Sequence, residues 1–164
     1  PLTLALGLIS MSSEYCICPP KLRSLASNGP TRVKHSSPVS HRKAVESIAR
    51  YFGKELGYYQ NMFHAASKPS DREFVPYEAY LFHDEAYNLK WENKKTEVVC
   101  LGACCFYKHY EGWSLHWVWF HPYFRKQGFL SRAWPEFRQR YGEFRLEEPL
   151  SLAMEQFVAK HSMA

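Results

Sequence analysis

The residues best suited to chemistry lie in one short segment, HWVWFHPYFRKQGFLSRAW, which covers positions 116–134. Its basic turn contains Arg125, Lys126 and Gln127, followed by Gly128 and by a run typical of a helix. The first N–H groups of a helix lack intrahelical partners and carry positive partial charge, so this turn can bind a phosphate. A glycine there allows close approach of the ligand. The pattern predicts a pyrophosphate site, with apolar walls from the aromatic strand before it.

The elements that position this turn can be predicted from hydrophobic periodicity. Apolar residues at helical spacing from Ser40 onward predict an amphipathic helix that ends near Gly57, with a second helical turn through Met62. Strands are expected at 31–35, 77–87, 97–110 and 113–120, and turn-rich chain at 67–76 and in NLKWENKKTE. The site segment is therefore preceded by a helix and an antiparallel β-meander.

The chain after the basic turn is expected to alternate helix, strand and helix. GFLSRAWPEFRQRYG is typical of a helix that ends at Gly142, EFRLEEP of a strand, and SLAMEQFVAKH of a last helix with Ser151 near its cap. Pro135 lacks a backbone donor, so we expect it to kink the first of these helices or to mark a restart.

Composition limits the domain count and the partners. A chain of 164 residues with 46% hydrophobic content is long enough for one domain with a core and too short for two comfortable ones. The 21 Lys and Arg exceed the 16 Asp and Glu, which gives a net charge of +5. This excess suits an anionic ligand such as a nucleotide, a phosphate or a nucleic acid. Charge alone does not choose among them.

The cysteine count and the N-terminal residues bear on the compartment. Five cysteines, an odd number, do not form a secreted disulfide framework, so a reducing compartment, the cytoplasm, is expected. The opening PLTLALGLIS is too short to span a bilayer and lacks the basic start of a secretory signal. We interpret it as a leader or a packed extension, with Met11 as a candidate start, and expect no membrane partner.

Several chemically capable residues have a structural alternative. Glu147 and Glu148 fit either a solvated pair at the end of a strand or a catalytic pair. Cys16 and Cys18 invite zinc binding together with nearby histidines, but Cys-x-Cys is not the usual spacing of a structural zinc site, so no metal is expected. Core packing is expected for Cys100, Cys104 and Cys105. It is also expected for at least half of the four tryptophans Trp113, Trp117, Trp119 and Trp134. Structural roles are expected for His109, His116 and His121, and of these His116 can face a cleft.

The stretch FHPYFRKQGFLSRAW resembles motif A of the GNAT acyltransferases, where a strand precedes Arg/Gln-x-x-Gly-x-Gly/Ala at the start of a helix. Arg125, Gly128 and Leu130 occupy the three signature positions, and Leu130 replaces the small residue of the family. The resemblance covers roughly residues 31–161. It implies an α/β (α+β) fold with a central mixed β-sheet flanked by helices, in which the family's C-terminal strands are missing. Residues 1–30 would form an irregular extension and 31–164 the GNAT-like domain.

The resemblance implies acetyl-CoA as the cosubstrate, bound where strand 113–120 and the strand at 143–147 diverge. The Phe120 N–H would lie near the acetyl oxygen and stabilise the oxyanion. The implied cofactor-binding residues are Trp119, Phe120, Arg125, Lys126, Gln127, Gly128, Phe129, Leu130 and Ser131. The implied activity is N-acetylation of a primary amine by direct attack.

The resemblance also suggests catalytic groups and acceptors. Glu148, or Glu147 through a water, would serve as the general base, and Ser151 or Tyr123 would supply a proton to the departing thiolate. GFLSRAW and EEPLSLAMEQF are similar to the cohesin-type lysine acetyltransferases, which implies a protein lysine or an N-terminus as acceptor. A small polyamine or an aminoglycoside satisfies the chemistry equally, and the oligomeric state is left open. The alternative is a non-catalytic module that binds RNA or single-stranded DNA through the basic turn and exposed aromatic residues.

Overall fold

The structure is a computed structural model that describes residues 16–23, 25, 29–58, 62–83 and 97–161. The N-terminal decapeptide, most of the predicted second helical turn before Met62, and nearly all of NLKWENKKTE lie outside the described residues. In chain order the elements are β1 (Lys21–Leu22), β2 (Thr31–Val33), α1 (Val39–Leu56), β3 (Tyr77–Phe82), β4 (Val98–Val99), β5 (Gly102–His109), β6 (Gly112–Phe120), a 3₁₀ turn (Pro122–Phe124), α2 (Phe129–Tyr141), β7 (Arg145–Leu146) and α3 (Leu152–His161).

The described strands form two sheets. The larger has five strands in the order β2-β3-β5-β6-β7, and β1 pairs with β4 in a separate two-stranded sheet. Neighbours in the larger sheet are antiparallel except β6 and β7, which are parallel and are connected through α2. The predicted combination of helices with a mixed sheet is confirmed.

The helices cover the two faces of the sheet. Side chains alternate along a strand, so Ala79 and Leu81 of β3 join one buried cluster with α1, while Tyr80 and Phe82 join a second cluster with α2. The α1 helix contributes its buried stripe of Ala44, Val45, Ile48, Ala49 and Phe52 to the first cluster, as its periodicity predicts. It ends at Gly57, whose left-handed φ of 74° lets its N–H bond to the Gly53 carbonyl.

Two predicted strands differ from the observed ones. The strand expected at 97–110 is two strands, because the Cys100 N–H bonds to the Pro20 carbonyl while the Leu101 N–H bonds to the Phe82 carbonyl. The chain changes pairing partner at this point. The strand expected in EFRLEEP is reduced to β7. The helix expected before it is observed as α2, which continues through Pro135 without a restart and ends at Gly142.

The aromatic and cysteine side chains mostly pack in the core, as expected. Trp117, Trp119 and Trp134 are buried, and so are three cysteines, Cys100, Cys104 and Cys105. The last helix, α3, packs its Phe157 against Trp134 with ring centroids 4.9 Å apart. Among the described helices, none has the length and apolar composition that crossing a membrane requires.

Candidate functional site

The turn before α2 presents a row of free backbone donors. Lys126 and Gly128 have positive φ angles of 61° and 78°, and α2 begins at Phe129. The first N–H group that the helix uses is that of Arg132, which donates to the Gly128 carbonyl at 3.0 Å. Within the described part of the chain, the N–H groups of residues 126–131 have no hydrogen-bond acceptor. Amides in this arrangement can bind an anion, and we call residues 126–131 the anion-binding turn.

Arg132 adds a full positive charge to this turn. Its Nη1 donates to the Gln127 carbonyl at 3.0 Å, and its guanidinium lies 4.8 Å from the centroid of the Phe129 ring. A Cβ atom added at Gly128 would lie 3.3 Å from the Arg132 Nη1, which is a tight contact in addition to the strain of a left-handed φ. Arg132 is not among the site residues predicted from the sequence, although its position one helical turn after Gly128 is visible there.

Arg125, a predicted binding residue, pairs with a carboxylate of α1, the helix on the opposite face of the sheet from α2. Its Nη2 lies 2.6 Å from Glu55 Oε2, and its Nε donates to the Phe120 carbonyl at 2.9 Å. Trp119 donates from Nε1 to the same Glu55 carboxylate at 2.8 Å. The hydrogen bond from Arg125 lowers the pKa of Glu55, burial opposes this effect, and the bond from Trp119 adds to it. Arg125 thus anchors the start of the turn to the end of α1.

The strands β6 and β7 diverge soon after they meet. They pair only at Ser114 with Arg145 and at Leu115 with Leu146, and the Glu147 N–H adds a bond of 3.0 Å to the Leu115 carbonyl. Beyond this point β6 continues to Phe120, and no described strand pairs with it on that side. We call this unpaired side of β6 the cleft, and it leads along the strand toward the turn at 126–131.

The backbone of β6 that faces the cleft can be identified from the ladder on its other side. The His121 N–H bonds to the Leu101 carbonyl at 2.9 Å. Because the bonded pairs of an antiparallel ladder alternate, the Trp119 backbone also points toward β5, whereas the Val118 and Phe120 backbones point into the cleft. We call these cleft-facing groups of Val118 and Phe120 the open edge. Arg125 occupies the Phe120 carbonyl, so Phe120 offers its N–H and Val118 offers both groups.

An imidazole and a carboxylate meet where the strands diverge. The pairing of β5 with β6 shifts by one residue so that Cys105 faces Trp117 and Phe106 faces Leu115, which leaves His116 in a bulge. Its Nε2 lies 3.6 Å from Glu147 Oε2 and 3.4 Å from the Nε2 of His109. Burial lowers the pKa of His116, Glu147 opposes this effect and His109 adds to it, so the ring is neutral at pH 7.

The structure does not join the three predicted catalytic side chains through any hydrogen bond or ion pair among the described residues. Glu148 is exposed and precedes Pro149. Ser151 caps α3, where its Oγ accepts from the Met154 N–H at 3.3 Å. Tyr123 lies in the 3₁₀ turn with 70% of its surface exposed. The contact that the structure does form is between His116 and Glu147, which the sequence indicates only as separate candidates.

A cavity of about 620 Å³ adjoins this contact. It lies between the tip of the β5–β6 hairpin and β7, and its lining includes Tyr110, Trp113, Ser114, His116, Arg145 and Glu147. A second cavity of about 360 Å³ adjoins the Glu55–Arg125 pair. The first of the two is lined by both members of the His116–Glu147 contact.

The zinc alternative at the N-terminal cysteines can be compared with the structure. The Sγ atoms of Cys16 and Cys18 lie 3.5 Å apart, and both residues are exposed. Across the residues that the structure describes, no group of three or more His, Cys, Asp or Glu side chains is arranged to hold a metal ion.

Comparison with known proteins gives no family for this chain, since no family model and no curated protein matches it.

Proposed function

We propose that this chain is an acetyl-CoA-dependent N-acetyltransferase of the GNAT type that acts on a primary amine. One observation carries the proposal: β6 leaves β7 after two paired residues, and the cleft that results leads to six free N–H groups at 126–131. An anion-binding turn at the end of an unpaired strand suits a ligand with a diphosphate and an amide-bearing arm. The observed order of strands and helices agrees with the order that the resemblance implies.

The residues at the cleft fit the chemical groups of acetyl-CoA. The free amides at 126–131, together with Lys126 and Arg132, complement the pyrophosphate. The pantetheine arm contains amides, and an extended amide-bearing chain can pair with an unpaired strand in the way that an added β-strand does. The open edge at Val118 and Phe120 supplies the matching donors and acceptor.

The reaction requires an acceptor for the proton of the amine. Acetyl-CoA supplies an acetyl thioester, so that the amine nitrogen bonds to the carbonyl carbon while the C–S bond breaks and CoA leaves as a thiol. We assign the proton acceptor to His116, because its ring is neutral at pH 7 and Glu147 stabilises the imidazolium. Glu148, with Ser151 and Tyr123 as proton donors, is the alternative that the resemblance implies.

Ligand-dependent thermal unfolding tests the proposal. A ligand that binds only the folded chain raises its apparent stability, so acetyl-CoA and desulfo-CoA should both raise the Tm. A single-stranded oligonucleotide tests the alternative function, since Arg138, Arg140 and Tyr123 are exposed. A salt-sensitive shift with the oligonucleotide and none with acetyl-CoA would reject the transferase in favour of a nucleic-acid-binding module.

A further inference from the structure

The cavity beside His116 has the size and position of a small-molecule site. Its volume of about 620 Å³ lies within the roughly 300–1,000 Å³ typical of ligand pockets. The exposed tip of the β5–β6 hairpin forms one wall and the start of β7 forms another. His116 and Glu147 lie both in this lining and at the point where β6 and β7 separate. A ligand in the cavity would therefore lie at the end of the cleft that is farther from the anion-binding turn.

The charged residues that line the cavity determine which ligand charge it favours. Arg145 forms an ion pair with Glu111, so these two lining residues neutralise each other. Burial keeps the His116 ring neutral at pH 7. Glu147 therefore supplies the one carboxylate of the lining that has no cationic partner at this pH. This balance favours a ligand with a single positive charge.

The aromatic residues that line the cavity determine which uncharged groups of a ligand it favours. Tyr110 and Trp113 line the same cavity, and an aromatic ring binds both apolar groups and other rings. Tyr110 is fully exposed at the hairpin tip, so it can close over a bound ligand without leaving a core position. A second ammonium group would meet Arg145 and gain no free carboxylate.

We propose that this cavity binds the amine acceptor, and that the acceptor is a small monoamine with an apolar or aromatic body. The inference rests on the proposed function, and it decides among the acceptors that the sequence left open. An ammonium group donates hydrogen bonds, and the lining offers two acceptors for it, the Glu147 carboxylate and the neutral His116 ring. The ammonium loses one proton to His116 Nε2 before the nitrogen attacks, and the second proton, lost as the amide forms, passes to the departing thiolate.

Titration of the full chain with three amines, followed by tryptophan fluorescence and calorimetry, tests the inference. The probes are phenethylamine, spermidine and a short lysine peptide. Phenethylamine should bind at least about tenfold more tightly than the other two, since it alone matches one carboxylate and an aromatic wall. Glu147→Gln should weaken its binding by about 10- to 100-fold, because a charge-assisted bond is lost.

Glu143→Gln is the matched control. Glu143 is an exposed carboxylate paired with Arg138 and lies outside the cavity lining, so its replacement should leave amine binding unchanged. Equal or tighter binding of spermidine or of the peptide would overturn the inference. So would phenethylamine affinity that Glu147→Gln does not change.

A parallel titration with acetyl-CoA separates this inference from the proposed function. If acetyl-CoA binds and the chain acetylates spermidine or the peptide but not phenethylamine, the inference fails and the transferase stands. If phenethylamine binds in a Glu147-dependent way to a chain that does not bind acetyl-CoA, the amine site stands and the transferase fails.

Discussion

His116 combines three properties that a proton acceptor needs. It lies in a bulge where β6 leaves β7, its ring is neutral at pH 7, and a carboxylate stands 3.6 Å from its Nε2. The carboxylate of Glu147 favours the imidazolium, so it raises the affinity of the ring for a proton while burial lowers it. This balance is a property of two residues and can be tested by changing either one.

The pH dependence of acetyl transfer should report the His116 ring. Because its pKa lies below the ordinary value of 6.5, kcat/KM should stay constant above pH 6.5 and fall at lower pH, as the ring becomes protonated. His116→Gln should reduce kcat/KM by about 10²- to 10⁴-fold, the usual contribution of a general base. Initial rates from pH 5 to pH 8 measure both effects.

Variants at 147 and 148 distinguish the two candidate carboxylates. Glu147→Gln removes a group that raises the pKa of His116, so the acid limb should move to lower pH. Glu148→Gln should leave the limb in place. A loss of activity with Glu148→Gln that exceeds the loss with His116→Gln would assign the base to Glu148.

At the residue scale, the start of α2 has a local signal in the sequence. Gly128 separates a basic turn from an amphipathic run, and the structure gives this glycine a left-handed φ immediately before the helix. The approach of His116 to Glu147 has no such signal. It depends on a bulge and on the register between β6 and β7, both of which are set by tertiary contacts.

At the scale of helices and strands, α2 contains an interior proline. Pro135 is exposed inside the helix, and an interior proline removes one backbone hydrogen bond at a cost of about 3 kcal/mol. The helix persists because Phe129, Ala133, Trp134 and Phe137 are buried on its other side.

Pro135→Ala should therefore stabilise the chain. We expect a gain of up to about 3 kcal/mol in the free energy of unfolding, measured by urea denaturation. Because Pro135 is exposed, its replacement removes no core packing. A loss of stability would mean that the ring supports a conformation of α2 that alanine cannot keep.

A polar network joins the end of α2 to the sheet. The Tyr141 hydroxyl donates to Glu78 Oε2 at 2.6 Å and lies 2.6 Å from the Tyr80 hydroxyl. Lys34 and Arg32 pair with the same carboxylate at 3.3 and 3.5 Å. Burial raises the pKa of Glu78, but the hydrogen bonds from Tyr141 and Lys34 and the two cations outweigh it, so the pKa is lowered.

The stabilisation from Glu78 should depend on pH. Because its folded pKa lies below the ordinary 4.5, the contribution is complete above pH 4.5 and is lost as the pH falls through the folded pKa. Glu78→Gln should lower stability at pH 7 by about 1–3 kcal/mol and flatten this acid dependence. Glu136→Gln, at an exposed ion pair, should change stability by less than about 1 kcal/mol. Equal effects of the two variants would contradict the network.

The ends of helices and strands could be predicted only where a pattern in the neighbouring residues of the sequence marks them. The α1 helix matched its prediction because its buried stripe and its terminal Gly57 are both visible in sequence. The division of 97–110 into β4 and β5 was not predictable, since it results from a change of pairing partner from Pro20 to Phe82. No periodicity within that segment records which distant residue accepts its N–H groups.

At the scale of the whole molecule, β6 separates from β7 between two groups of residues that favour ligands of opposite charge. The free amides at 126–131 suit an anion, and the Glu147 carboxylate in the hairpin cavity suits a cation. His116 lies between them, at the point where the strands separate. A sheet paired along its full length would leave no room for either ligand to reach the other.

Calorimetric titration with acetyl-CoA tests this account most directly, using wild type and two glycine variants. Gly128 and Gly142 flank α2 and have positive φ angles of 78° and 64°, so a side chain strains the backbone at either position. Wild type and Gly142→Glu should bind one equivalent of acetyl-CoA. Gly128→Glu should abolish binding, because its carboxylate would crowd and repel the phosphates. Absence of binding to wild type, or equal affinity of wild type and Gly128→Glu, would contradict the account.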